Sequence, residues 1–152
     1  TLFSIANNHM GDFGETGRKN TVKVLKEKGF KFAGLEDYPW DTLTIKGTKI
    51  GFTAFAPNTH CLRLNDYGQA RKIVSFLDSI CDIVIVSFHG GAEGASKTHV
   101  PRKTEIFYNE DRGNVYEFAR VVIDAGAEGA TAANDGQLTV DTVFEGGVKT
   151  PL

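Results

Sequence analysis

Cysteine, unbalanced charge and long apolar runs are all scarce in this chain, and each scarcity removes a class of answer. Two cysteines among 152 residues are too few for a disulfide scaffold, and the Cys61–Cys81 spacing fits no zinc motif. Cys81 opens an apolar run and reads as a small buried hydrophobe, with a Cys61–Cys81 bridge as the alternative. Seventeen Lys and Arg against 19 Asp and Glu leave a formal net charge of -2, which argues against nucleic acid as a partner. The densest basic group, Lys19, Lys23, Lys26, Lys28 and Lys31, falls along a predicted surface helix and its exit. No signal peptide and no membrane-length apolar stretch are present. The first residues, Thr1 to Ala6, already read as strand, so an upstream portion is expected. Walker, dinucleotide, EF-hand and serine-elbow patterns are missing as well. Gly11-Asp12-Phe13-Gly14-Glu15-Thr16-Gly17 is glycine-rich, but its spacing matches none of them, and Asp12-Phe13-Gly14 has no kinase context. There is no internal repeat or low-complexity segment.

What is present is an ordinary globular composition, 41% hydrophobic, in a chain of single-domain length. Residues 2–6 form a short apolar strand closed by Asn7-Asn8-His9. A helix is expected from Thr16 to Lys28, with Val22 and Leu25 inward, Thr16 or Asp12 as N-cap and Gly29 as its stop. Residues 30–34 read as a strand, and 41–45 with 50–56 as a hairpin about Lys46-Gly47. A second helix, Tyr67 to Ser79, carries the stripe Ala70, Ile73, Val74 and Leu77. The run Asp82 to Phe88, β-branched from Ile83 to Val86, predicts a strand buried on both faces. Residues 92–111 read as polar loop. A third helix spans Asn114 to Ala125, with Val115, Phe118, Ala119, Val122 and Ile123 inward. Beyond Ala127 the pattern weakens, although Leu138 to Phe144 alternates like a strand. Alternating strands and helices with one hairpin predict a layered α/β domain with a mixed sheet.

Chemistry-bearing residues gather where strands end. His9 and His89 each follow a buried strand and each stands beside glycine, in Asn7-Asn8-His9-Met10-Gly11-Asp12 and Ser87-Phe88-His89-Gly90-Gly91. Open α/β sheets bind ligands outside the carboxyl ends of their strands. Imidazole both ligates transition metals and moves protons at neutral pH. The plainer readings stand beside these. His9 serves equally as a turn histidine, Asn8 as a turn former and Asp12 as a helix cap, although Asp12 can also orient His9. Glu93, four residues past His89, is a candidate ligand or proton acceptor. His60, after Pro57-Asn58-Thr59, is a candidate for the same site. His99 reads as solvated, Arg102 and Lys103 as surface or anion contacts, and Asn134-Asp135-Gly136 as a turn.

The block Ala6-Asn7-Asn8-His9-Met10-Gly11-Asp12-Phe13-Gly14 resembles the bacterial capsule-synthesis CapA, or PgsA-like, family. Leu25, Gly29 and Gly34 continue the likeness, as do Ser87-Phe88-His89-Gly90-Gly91 with Glu93, and Asp124-Ala125-Gly126-Ala127. It covers roughly residues 1–127. That family looks like a branch of the calcineurin-like metallophosphoesterases. The resemblance therefore implies a calcineurin-like layered fold, here incomplete, with Asn8 and His89 as metal ligands. It implies His9 as the catalytic group on a phosphoryl-like substrate, and one or two divalent ions of manganese, zinc or iron. It also implies a role in making an anionic surface polymer such as poly-γ-glutamate, with membrane-bound capsule-synthesis proteins as partners. The location implied is the cell envelope outside the cytoplasm, anchored through a segment not in this chain.

Two expected blocks are absent. The upstream aspartate block is missing, and Glu128-Gly129-Ala130 stands where a Gly-His-x-x-His-like motif is expected. Residues 128–152 are accordingly expected to be a C-terminal segment of the same domain, joined across an omitted loop. The rival reading is a non-catalytic polymer-binding or assembly module, in which His9 and His89 stabilise loops. A third is an amide-bond or polysaccharide hydrolase on the same scaffold.

Overall fold

Alternate residues of the β-branched run face opposite ways, and both sets need cover. The computed structural model describes residues 1–97 and 99–132 and shows how each set finds it. The elements in chain order are β1 (Leu2–Ser4), α1 (Gly14–Glu27), β2 (Lys31–Ala33), β3 (Trp40–Ile45), β4 (Thr48–Phe55), α2 (Tyr67–Ile80) and β5 (Ile83–Phe88). A 3-10 turn (Ala95–Lys97), β6 (Ile106–Phe107), β7 (Glu110–Asp111), α3 (Val115–Asp124) and β8 (Gly129–Ala132) follow.

The main sheet has the order β3-β4-β5-β8. β3 is antiparallel to β4, whereas β4, β5 and β8 run parallel, so this is an α/β domain with a mixed sheet. β1 and β2 form a separate parallel pair. On one face of the main sheet, Phe55, Val84, Val86, Phe88 and Ala130 pack with Ala70, Val74 and Leu77 of α2 and Val115, Phe118 and Val122 of α3. On the other, Phe52, Ala54 and Ile85 pack with Ile5, Phe32 and Val22 from β1, β2 and α1. The strand register fits this division, since Phe55 pairs with Phe88 and Phe52 with Ile85.

Local chemistry sets the turns and caps. β3 and β4 join through Lys46 and Gly47 alone, both at positive φ (51° and 88°), the two-residue turn whose twist suits a hairpin. Asp66 caps α2 by accepting from Gln69 N at 2.9 Å, and Asn114 caps α3 by accepting from Glu117 N at 3.1 Å. Replacing Asn114 by Ala should lower stability by about 1 kcal/mol, read as a lower urea midpoint with unchanged slope. α1 differs from expectation. It starts at Gly14 after Phe13 and has no side-chain cap. Thr16 lies inside it, and the Asp12 carboxylate is bonded to His9 instead.

Two further features depart from the sequence reading, and the cysteines follow it. The polar stretch 92–111 contains the β6–β7 hairpin, turned by Tyr108 and Asn109 at positive φ (49° and 62°). Gly129–Ala132 is a strand paired with Ile85–Phe88. It is started by Glu128, whose carboxylate accepts from Val84 N at 2.6 Å while its own N–H donates to Val84 O at 3.1 Å. Cys61 and Cys81 are free thiols, with Cys61 buried. The expected strand Leu138 to Phe144 and the turn at Asn134 lie outside the described residues.

Candidate functional site at the carboxyl ends of the strands

The ends of β1, β2, β4 and β5 meet along one edge. Any side chain at Gly34, after β2, would lie 2.7 Å from Ala6 N and 3.2 Å from the Ala54 methyl, so these three strand ends are in close contact. Cys61 Sγ reaches Asn7 O at 3.9 Å, Ala56 N donates to Leu62 O at 2.9 Å, and His89 N donates to Phe55 O at 2.9 Å. These contacts carry the edge from the Asn7–His9 turn to the Pro57–His60 turn and on to His89. Burial pushes the Cys61 thiol above its ordinary range, so this cysteine is a packing element and not a ready nucleophile.

The turn after β1 is built by its own side chains. Asn7 Oδ1 accepts from His9 N at 2.9 Å, and Asp12 N donates to His9 O at 3.1 Å. His9 Nδ1 lies 2.8 Å from Asp12 Oδ2, with both side chains more than half exposed, at 64% and 51%. A carboxylate only accepts, so this pairing places the imidazole proton on Nδ1 and leaves Nε2 as the acceptor. Asn8 is half-buried, and its Oδ1 is fully buried with no hydrogen-bond partner. Asn58 Oδ1, in the turn after β4, is likewise buried without a hydrogen-bond partner. Buried oxygens of this kind are rare and call for a donor or a cation.

His89 is in a different setting. It is 3% exposed, and its Nε2 is 3.0 Å from Arg112 Nη2. A guanidinium only donates, so Nε2 accepts and the ring proton is on Nδ1. The same Nη2 donates to Glu93 Oε1, and Nη1 donates to Glu110 Oε2 at 3.3 Å. Arg112 is itself 2% exposed. The β6–β7 hairpin delivers it. Arg112 N donates to Glu105 O at 2.9 Å, and Arg112 O accepts from Gly91 N at 2.8 Å. Glycine is required at position 90 because a Cβ there would stand 2.9 Å from Arg112 O and from Leu64 Cδ1.

Thus the fold joins Asp12 to His9, and Glu93 to His89. His60 is exposed, at positive φ (71°), and lines a different groove with Glu15, Arg18, Lys19, Glu36 and Tyr38. His99 is exposed, and Arg102 stacks on Tyr116 at 4.9 Å. Arg112 and Asn58 are site residues that sequence reasoning passed over. Asn58 stood in a recognised strand-ending turn. Arg112 lay between acidic Asp111 and Gly113 with nothing to mark it as buried.

The fit of these residues to a divalent metal is partial. Asn8 Oδ1 is a suitable acceptor, but the Nε2 lone pair of His89 is directed at Arg112. Among the described residues no three His, Cys, Asp or Glu side chains gather as a metal site. The described residues therefore do not by themselves assemble the expected centre.

Comparison with known proteins agrees with the capsule-synthesis resemblance. The chain is 27% identical over 147 aligned residues to the capsule biosynthesis protein CapA of Bacillus anthracis, an alignment covering 84% of this chain and 33% of that protein. The chain thus spans about a third of the curated relative it matches. The model of the bacterial capsule synthesis protein PGA_cap family matches residues 1–129, from β1 into β8. That match takes in every candidate residue from Asn8 to Arg112, and the chain belongs to the bacterial capsule synthesis protein PGA_cap family.

Proposed function

We propose that this domain serves the making, attachment or export of an anionic cell-surface polymer of the poly-γ-glutamate type, and that it handles the polymer at the carboxyl edge of its strands. The observation that carries the reading is the exposed His9–Asp12 pair, 2.8 Å apart, directly after Asn8 with its buried, unsatisfied Oδ1. Asp12 holds the His9 ring in one orientation and tautomer. Neutral, His9 accepts a proton at Nε2. Protonated, it donates to an anionic group on the substrate. Membership of a capsule-synthesis family supports a capsule polymer as the ligand, and the poly-γ-glutamate type is part of this proposal. The protein works at the cell envelope in this reading. No helix among the described residues is long and apolar enough to cross a membrane, so attachment calls for residues outside them.

A calcineurin-like relationship, and with it manganese, zinc or iron, belongs to the same proposal. Asn8 would hold the ion with ligands from outside the described residues, and the ion would polarise a phosphoryl-like group and activate water. No step assigned to His9 depends on it. The second reading, a non-catalytic binding or assembly module, is favoured by one observation: His89 and Glu93 are already engaged by Arg112.

The test uses the full-length protein with poly-γ-glutamate, following chain length and bound polymer. His9→Ala should slow turnover by about 100-fold or more and Asp12→Asn by a smaller factor, with melting temperatures unchanged. Phosphoester substrates are run alongside. Binding without turnover in the wild type would select the module. Neither binding nor turnover would overturn the polymer reading.

A further inference from the structure

We infer that Arg112 is an intramolecular cation, occupying the position between His89 and Glu93 that a divalent metal would take. The inference rests on the Arg112 geometry and goes beyond the polymer reading. Two acceptors of the kind that ligate transition metals, His89 Nε2 and Glu93 Oε1, converge on one atom, Arg112 Nη2. They stand 3.8 Å apart. Two ligands on one tetrahedral ion, with bonds of roughly 2.0–2.1 Å, would be roughly 3.3–3.4 Å apart, so the pair needs to close only slightly to grip a metal.

Charge fits the same exchange. Arg112 is met by two carboxylates, Glu93 and Glu110, so one positive charge faces two negative ones. A buried arginine is retained only where such partners compensate its desolvation. The fit is nonetheless incomplete, because Arg112 Nε is buried without a partner. The guanidinium also comes from a different element than its two acceptors. It rides on the 105–113 hairpin, which is fastened across the mouth of β5 by the Gly91 N to Arg112 O bond and faces Gly90 in close contact. Metal binding at His89 and Glu93 therefore competes with Arg112. Removing the guanidinium while keeping an aliphatic stem converts a closed ion pair into a cation site.

The experiment titrates the full-length protein with zinc alone, and with manganese alone, by calorimetry. The variants are Arg112→Met, Arg112→Met with His89→Ala, and Arg112→Met with Glu93→Gln. Arg112→Met should bind zinc at least about tenfold more tightly than the wild type, and both double variants should lose the gain. No gain, or a gain that survives loss of His89, overturns the inference. Should Arg112→Met not fold, the wild type decides by the ¹⁵N resonance of His89 Nε2. A position unmoved by a moderate excess of zinc upholds the inference, and a saturable shift at stoichiometric zinc overturns it. Neither outcome touches the polymer reading, whose test depends on His9.

Discussion

Phe118→Ala should lower folding stability by about 3–5 kcal/mol, close to the whole reserve of an ordinary small domain. Phe118 is fully buried in the core between the main sheet and the helices α2 and α3. Its ring meets Phe55 and Phe88 edge-on at 5.1 Å each, and Tyr67 at 6.5 Å. Phe55 and Phe88 are paired last residues of β4 and β5, immediately before the Pro57 turn and His89. The cavity would thus open directly beneath the functional edge, where rings on two strands and a helix cannot all move in to fill it. Urea denaturation of the variant checks the magnitude. A loss under about 1 kcal/mol would mean that the site collapses freely and that these rings do not set the strand ends.

The second large effect is expected at Gly34. Alanine there should cost about 2–5 kcal/mol, combining backbone strain with overpacking. Its φ is +125°, outside the range L-residues adopt, and its added methyl would lie 2.7 Å from both the nitrogen and the methyl of Ala6. Ala6 N belongs to the backbone that leads into Asn7, Asn8 and His9, so it cannot give way as a flexible side chain would. The variant should therefore lose stability and also displace His9, lowering polymer turnover beyond what the fraction unfolded explains. Gly29→Ala is the control. Gly29 also has positive φ (67°), but its added methyl meets nothing within 4 Å, so the strain term acts alone. Equal losses in the two variants would remove the packing part of the argument.

The elements that could be read from sequence are those whose own residues carry a period. The stripe Ala70, Val74 and Leu77 repeats at helical spacing, and all three are buried in α2. The run from Ile83 to Phe88 is covered on both faces, as a β-branched strand with no polar side requires. The hairpin was legible from Gly47. What escaped had its cause elsewhere in the chain. Gly129-Ala130-Thr131-Ala132 has small residues and weak strand propensity, and it becomes a strand because β5 offers an unpaired edge and Glu128 clasps Val84. β6 and β7 are two residues each and arise from a turn that places Tyr108 and Asn109 at positive φ.

The same division runs through the candidate site. Asn8, His9 and His89 were visible because a strand's end is a feature of local sequence, and the topology then brings those ends together. Asp12 was a plausible cap by residue type, but the helix begins at Gly14 and the carboxylate lies with His9. His60 follows a strand end as His9 and His89 do, yet at positive φ it lines another groove with α1. Arg112 illustrates the limit most clearly. Glu110 meets it from its own hairpin, but His89 and Glu93 meet it from a loop 23 and 19 residues away, a pairing no local pattern encodes.

The central claim, that an anionic polymer is handled at the carboxyl edge of the strands, is tested most directly by hydrogen exchange. The full-length protein is compared with and without poly-γ-glutamate. The account predicts slowed exchange in residues 7–12, 57–62 and 88–93, and none at the Lys46–Gly47 turn, which lies at the far end of β4. Protection confined to that far end, or absent from all three strand-end segments at saturating polymer, would contradict it.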